Sequence, residues 1–319
     1  MPGQAHNHLP RLAEWRRLAP ALPCLLLGLL LAAPAEATSP GRDGAVVFSR
    51  HAAGPRNAPS DLWVATRSGE QRRLTASRRA SETEAAFSPN GRTIAYTRRV
   101  GENTGIWLMN ADGSHKRQLV DTRLNEFSPS FFPSGESLAF TTFEEGARGR
   151  WEILSIRTDG SALTRLVEKA TEPEISPDGR WLAYLPHDGQ GIRLRDLRGG
   201  ETVQLTMGMA AGPDFSPDGS RIAYLGRRPC GDSGMRAGIV IADLDGGPPR
   251  WLPHSCGKGF VDAVWSPSGK RLLLTRIRAR EERLPTQLKM FSSTGVPLPG
   301  APRHMRGTDE SSPTWQPLH

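Results

Sequence analysis

The chain has 319 residues, with 41 Lys and Arg against 33 Asp and Glu, a formal net charge of +8 at pH 7. Apolar residues make up 37%, enough for a core, while 34 Gly and 27 Pro imply many turns. Only five of the basic residues are lysines, with no lysine-rich run or RNA-binding motif, so the charge is read as general surface basicity and no nucleic-acid partner is expected.

In chain order, Arg11, Arg16 and Arg17 precede an apolar run from Leu22 to Ala33 and then Ala35-Glu36-Ala37. A charged start, an apolar middle and an A-x-A ending spell a secretory signal peptide over 1–37, cut after Ala37. The run contains Pro23 and falls short of the ~20 apolar residues a spanning helix needs. A retained anchor is the competing reading. Cleavage leaves no stable membrane span and one domain over 38–319, expected as a periplasmic or secreted monomer.

From residue 43 the chain repeats itself. Phe87-Ser88-Pro89-Asn90-Gly91, Phe131-Phe132-Pro133-Ser134-Gly135, Ile175-Ser176-Pro177-Asp178-Gly179, Phe215-Ser216-Pro217-Asp218-Gly219 and Trp265-Ser266-Pro267-Ser268-Gly269 are five copies of one unit, and Trp315-Gln316-Pro317 is a truncated sixth. Proline presets φ for the first corner of a tight turn and Gly supplies its φ > 0 exit, so each copy joins two short strands. The prolines stand 44, 44, 40, 50 and 50 residues apart, the period of propeller blades.

Each turn leads into an apolar triplet, as in Ile94-Ala95-Tyr96, Leu182-Ala183-Tyr184 and Ile222-Ala223-Tyr224, and Val46-Val47-Phe48 opens the series without a turn before it. Continuous apolar runs suit strands covered on both faces. Gly69, Gly113, Gly160, Gly199, Gly246 and Gly295 each close a second turn, and seven residues before them stand Leu62, Ile106, Ile153, Ile192, Ile239 and Leu288. A leucine follows in five copies (Leu74, Leu119, Leu166, Leu205, Leu252), whereas 296–307 is Pro-rich and lacks this signal.

Naming the strands A to D, A ends at the Ser-Pro turn, B holds the triplet, C precedes the glycine and D carries the leucine. The chain starts on a B strand near Val46 and ends on an A strand near Trp315. The fold expected is all-β, a six-bladed propeller of four-stranded blades closed by the C-terminal strand joining the first blade, which removes the open edge.

The run Phe-Ser-Pro-Asp-Gly-x-x-Ile-Ala-Tyr, together with Met109-Asn110-Ala111-Asp112-Gly113 and a following leucine strand, resembles the WD40-like PD40 repeat of TolB-type propellers over about residues 43–317. The resemblance implies the fold and not an activity. TolB carries an α/β domain before its propeller; here the repeats begin within a few residues of the expected cleavage site.

Candidate chemistry is sparse. Cys230-Gly231-Asp232-Ser233-Gly234 reads as a turn in a B–C loop, since a protease nucleophile needs His and Asp partners on another fold. His51, His115, His187, His254, His304 and His319 show no ligand-like spacing, and Asp243-Leu244-Asp245-Gly246 lacks the twelve-residue calcium loop. No catalytic residue, metal ligand or cofactor is expected.

The B–C and D–A loops leave a blade on one face, opposite the Ser-Pro turns. The B–C loops are arginine-rich and the D–A segments acidic, so an acidic channel mouth inside a basic ring is expected, with Arg56, Arg99, Arg148, Arg228, Arg278, Glu174, Asp214 and Asp262 as a candidate partner-binding face. Cys230 and Cys256 remain after cleavage, in two loops of that face, and are expected to form a disulfide. The function expected is a non-catalytic scaffold for a protein or cell-envelope partner. The alternative is a propeller enzyme acting on a polysaccharide or glycan at the channel mouth.

Overall fold

The computed structural model describes residues 40–52, 59–120, 122, 124–145, 149–229, 234–277 and 286–319. The expected signal peptide over 1–37 lies outside them.

Blade one contains β1 (Arg42–Ala52), β2 (Ser60–Ala65) and β3 (Gln71–Arg73). Blade two is β4 (Ala80–Phe87), β5 (Thr93–Val100), β6 (Asn103–Asn110) and β7 (Arg117–Gln118). Blade three is β8 (Asn125–Phe131), β9 (Ser137–Glu144), β10 (Arg150–Arg157) and β11 (Thr164–Glu168). Blade four is β12 (Ala170–Ile175), β13 (Trp181–Pro186), β14 (Arg193–Asp196) and β15 (Thr202–Gln204). Blade five is β16 (Ala211–Phe215), β17 (Arg221–Pro229), β18 (Met235–Asp243) and β19 (Arg250–Trp251). Blade six is β20 (Phe260–Trp265), β21 (Arg271–Ile277), β22 (Thr286–Ser292) and β23 (Pro297–Leu298). The last strand, β24 (Thr308–Leu318), pairs antiparallel with β1 and completes blade one. The result is a six-bladed, all-β propeller with the closure expected from the sequence.

The apolar triplets serve two neighbours at once. Val46 and Phe48 of β1 pack with Leu273, Leu288 and Met290 of blade six, while Val47 between them packs with Phe87 and Ile94 of blade two. In blade five Ile222 and Tyr224 face blade four and Ala223 faces blade six. Alternating side chains therefore enter two separate cores, and no position is left for a polar residue. Burying each large side chain contributes about 1.5–3 kcal/mol.

The Ser-Pro turns are held by the serine as much as by the proline. The Gly219 N–H donates to the Ser216 carbonyl at 2.8 Å. The Ser216 hydroxyl donates to Asp218 Oδ1 and accepts the Arg221 N–H at 3.0 Å. Ser88 and Ser176 make the same pair of bonds, with Asn90 and Asp178 as acceptors. A carbon side chain there would leave a half-buried N–H without its acceptor.

The stretch that lacked a leucine signal does supply a fourth strand to blade six: β23 pairs with β22 through Met290↔Leu298 and Phe291↔Pro297. It is two residues long and outermost, the position in which a strand tolerates proline.

Candidate docking face and central channel

The innermost strands line the channel, and each carries a register shift, as between Thr83 and Ala86 in β4 and between Thr171 and Glu174 in β12. At the shift Glu84, Ser128, Glu172 and Ser312 hold left-handed φ values of 49°, 53°, 52° and 48°. Gly212 takes that position in blade five at φ 57°, where no Cβ is strained. The bulges release backbone N–H groups from the ladder, and the next blade's neighbour satisfies them. Ser128 N–H donates to Glu84 Oε2 at 2.8 Å and Gly212 N–H to Glu172 Oε2 at 2.8 Å. Deeper in the channel, Ile175 N–H donates to Ser130 Oγ at 3.1 Å and Trp265 N–H to Asp214 Oδ2 at 2.6 Å. Each of these four bonds ties one blade's inner strand to the next.

Two cavities stack along the axis. The one nearer the Ser-Pro turns is about 190 Å³, with Phe87, Phe131, Trp265 and Trp315 in its wall. The one nearer the B–C and D–A loops is about 360 Å³ and meets Glu84, Glu172, Ser128 and Ser312. Glu174 and Asp262 reach both, and Asp214 lines the first.

These carboxyls hold their protons unusually well. Burial pushes Glu174 up to about 8. Burial, then the nearby Glu174 and Asp262 carboxyls, hold Asp214 well above the ordinary range. Burial with the Glu172 charge raises Asp262 to about 6, and burial raises Glu172 itself. The group attracts cations as it ionises. Among the described residues no set of three or more His, Cys, Asp or Glu side chains is disposed to hold a metal ion.

The other acids of the D–A segments stand elsewhere. Glu82, Glu126 and Glu310 are buried inside their blades and not at the mouth. Glu310 accepts from Arg50 Nε at 3.1 Å, with both side chains 2% exposed. The Arg50 guanidinium also donates to Gln71 Oε1 and the Arg303 carbonyl and lies over Phe48 and Trp63. Glu82 pairs with Arg98 at 3.2 Å, and Arg98 covers Trp107. Burial lifts Glu82 to about 6.

Of the expected basic ring, Arg56, Arg148 and Arg278 lie outside the described residues, as does Cys230. Arg99 is exposed and lines a cavity of about 420 Å³ near the rim with Ser60, Asn125 and Phe143. Arg228 stacks over Trp251, 4.7 Å from its centroid, and its Nε lies 3.5 Å from Cys256 Sγ.

The described part of this face also exposes apolar side chains. Of seven large apolar side chains that are exposed among the described residues, Val100, Met207, Met209, Met235 and Met305 stand on B–C or D–A segments. Leu163 and Val296 are the two on the opposite face. Met207 and Met209, 75% and 62% exposed, flank Gly208 where the chain enters the inner strand of blade five. Formal charge does not point to these methionines; the Met207-Gly208-Met209 segment between two strands is the sequence signal that does.

The TolB structure from Acinetobacter baumannii superposes with a TM-score of 0.68 at 22% identity, covering 86% of this chain and 67% of that one. Kuenenia stuttgartiensis hydrazine synthase matches with a TM-score of 0.67 at 12% identity, over 92% of this chain and 50% of that one. An oligogalacturonate lyase in complex with manganese matches at 0.56 and 13%, over 80% and 73%. At these identities the likeness is one of fold. No curated protein matches the chain. Residues 55–268 match the PD40 family, described as the TolB beta propeller domain, and with that match over a six-bladed frame the chain belongs to the PD40 TolB β-propeller family.

Proposed function

We propose that this propeller is an exported, non-catalytic scaffold that holds a protein or cell-envelope partner on the face that carries the B–C and D–A loops and the exposed methionines. The observation that supports it is that Met207, Met209, Met235, Met305 and Val100 are exposed on B–C or D–A segments, which leave the blades on one face. Methionine side chains are flexible and polarisable and suit a surface that accepts a partner segment. The complementary partner is an extended segment that lays apolar side chains on the methionines and presents a cationic group to Glu172, Glu174 and Asp262. Arg99 would meet an acid at the rim. Residues 1–37 would direct export, and Cys230 would pair with Cys256 in the oxidising compartment, tethering the loop around Arg228 with roughly 3–4 kcal/mol on the chain-entropy estimate.

The test is co-purification from an envelope extract with wild type and a Met207→Ser, Met209→Ser, Met235→Ser variant. Loss of a stoichiometric partner with unchanged melting supports the proposal; equal capture by both contradicts it. Non-reducing peptide mapping of exported protein should yield a linked Cys230–Cys256 peptide, and two alkylatable thiols would refute the pairing. A second reading draws on the unequal channel carboxyls: an acid protonated up to about pH 8, beside one titrating near 6, is the pattern that general acid–base chemistry uses. Glycan cleavage by the wild type that disappears in Glu174→Gln would favour that enzyme.

A further inference from the structure

A strongly charged recess lies away from the channel, at the seam where blade six meets blade one. It is a cleft of about 690 Å³. Arg42, Arg67, Lys270, Arg271 and Arg303 line it, from four segments that only ring closure brings together. Asp43 is the single acid in its wall. Asp43 is already engaged, accepting the Ser268 N–H at 2.9 Å and lying 3.8 Å from Arg271 Nε. Arg42, Arg67, Lys270 and Arg303 have no carboxylate partner among the described residues. Trp315 forms part of the same wall, and its buried indole N–H has no acceptor there.

We propose that this cleft binds a compact polyanion, a small molecule bearing two or more phosphoryl or carboxylate groups. Five cations facing one acid repel each other, and a multiply charged oxyanion relieves that repulsion while taking up the guanidinium forks in pairs. The volume falls in the range of small-molecule sites and exceeds what one phosphate fills. Because the cations come from both the first and the last blade, an occupant bridges the closing seam and stabilises the ring against opening.

Tripolyphosphate and citrate, titrated separately by calorimetry at low salt, distinguish the phosphoryl from the carboxylate source. At least one should bind with one-to-one stoichiometry and raise the melting temperature, and affinity should fall as salt is added. Arg67→Ser with Arg303→Ser alters two exposed side chains and should weaken binding at least tenfold while the ligand-free melting temperature stays put. Arg99→Ser, on the other face, should leave binding unchanged. No binding of either anion at millimolar concentration, or equal weakening by Arg99→Ser, would overturn the proposal, since the latter is what diffuse surface charge produces.

Discussion

Replacing Glu310 by Gln tests how the ring is closed. Glu310 sits on β24 directly opposite Arg50 on β1, and both side chains are almost wholly removed from water. The substitution keeps the shape and leaves the guanidinium buried without its counter-charge, so solvent screening does little to soften the loss. Breaking one partner of such a pair costs about 3–5 kcal/mol. For a domain of this size that is a fall in melting temperature of roughly 5–9 °C. The Arg50→Met, Glu310→Leu double variant removes both charges and should lose much less than the sum of its singles, because neither is left stranded. Thermal unfolding followed by circular dichroism, with urea titration for the free energies, measures wild type, Glu310→Gln, Arg50→Met, Glu310→Leu and the double variant. A Glu310→Gln protein that melts within about 2 °C of wild type, or singles that add, would refute the idea that this pair is coupled across the closure.

Because Glu174 and Asp262 titrate near 8 and 6 in the fold, the native state keeps protons that the unfolded chain releases, so stability is full below the ordinary carboxylate range and declines as pH rises toward about 8. Urea midpoints should fall across that window and Glu174→Gln should flatten the slope; a stability that climbs with pH there would be the wrong sign. Ser216→Ala should cost about 0.5–1.5 kcal/mol by removing the acceptor of the half-buried Arg221 N–H, and denaturant unfolding reads it directly. Gly295→Ala should be far more damaging than Gly69→Ala. Both have positive φ, but a Cβ at 295 collides with Pro253 whereas 69 faces open space. Equal losses in the two melting curves would contradict that contrast.

The blade frame was readable because it rests on local chemistry repeated six times. The Ser-Pro turns and the triplets each need only a few neighbouring residues, and the closing strand followed from Trp315 standing alone at the end. The site was less readable. Glu82 and Glu84 look equivalent on a strand of period two, but the register shift after Thr83 leaves Glu82 inside the blade with Arg98 and turns Glu84 to the channel. Glycine signals that bulge only at Gly212; at Glu84, Ser128, Glu172 and Ser312 ordinary side chains adopt the left-handed backbone, and no sequence pattern announces it. The seam cleft escaped for a different reason. Arg42, Arg67, Lys270 and Arg303 share no spacing, and their meeting depends on the whole ring closing.

The most direct test of the docking face is site-specific photo-cross-linking in intact cells, with the probe placed at Met207 in one protein and at Leu163 in another. Both side chains are exposed, 75% and 50%, on opposite faces, so both probes are open to solvent. A discrete adduct from position 207, missing from 163, is the predicted result. Adducts of equal yield from both positions, or from 163 alone, would contradict the assignment of partner binding to the loop face.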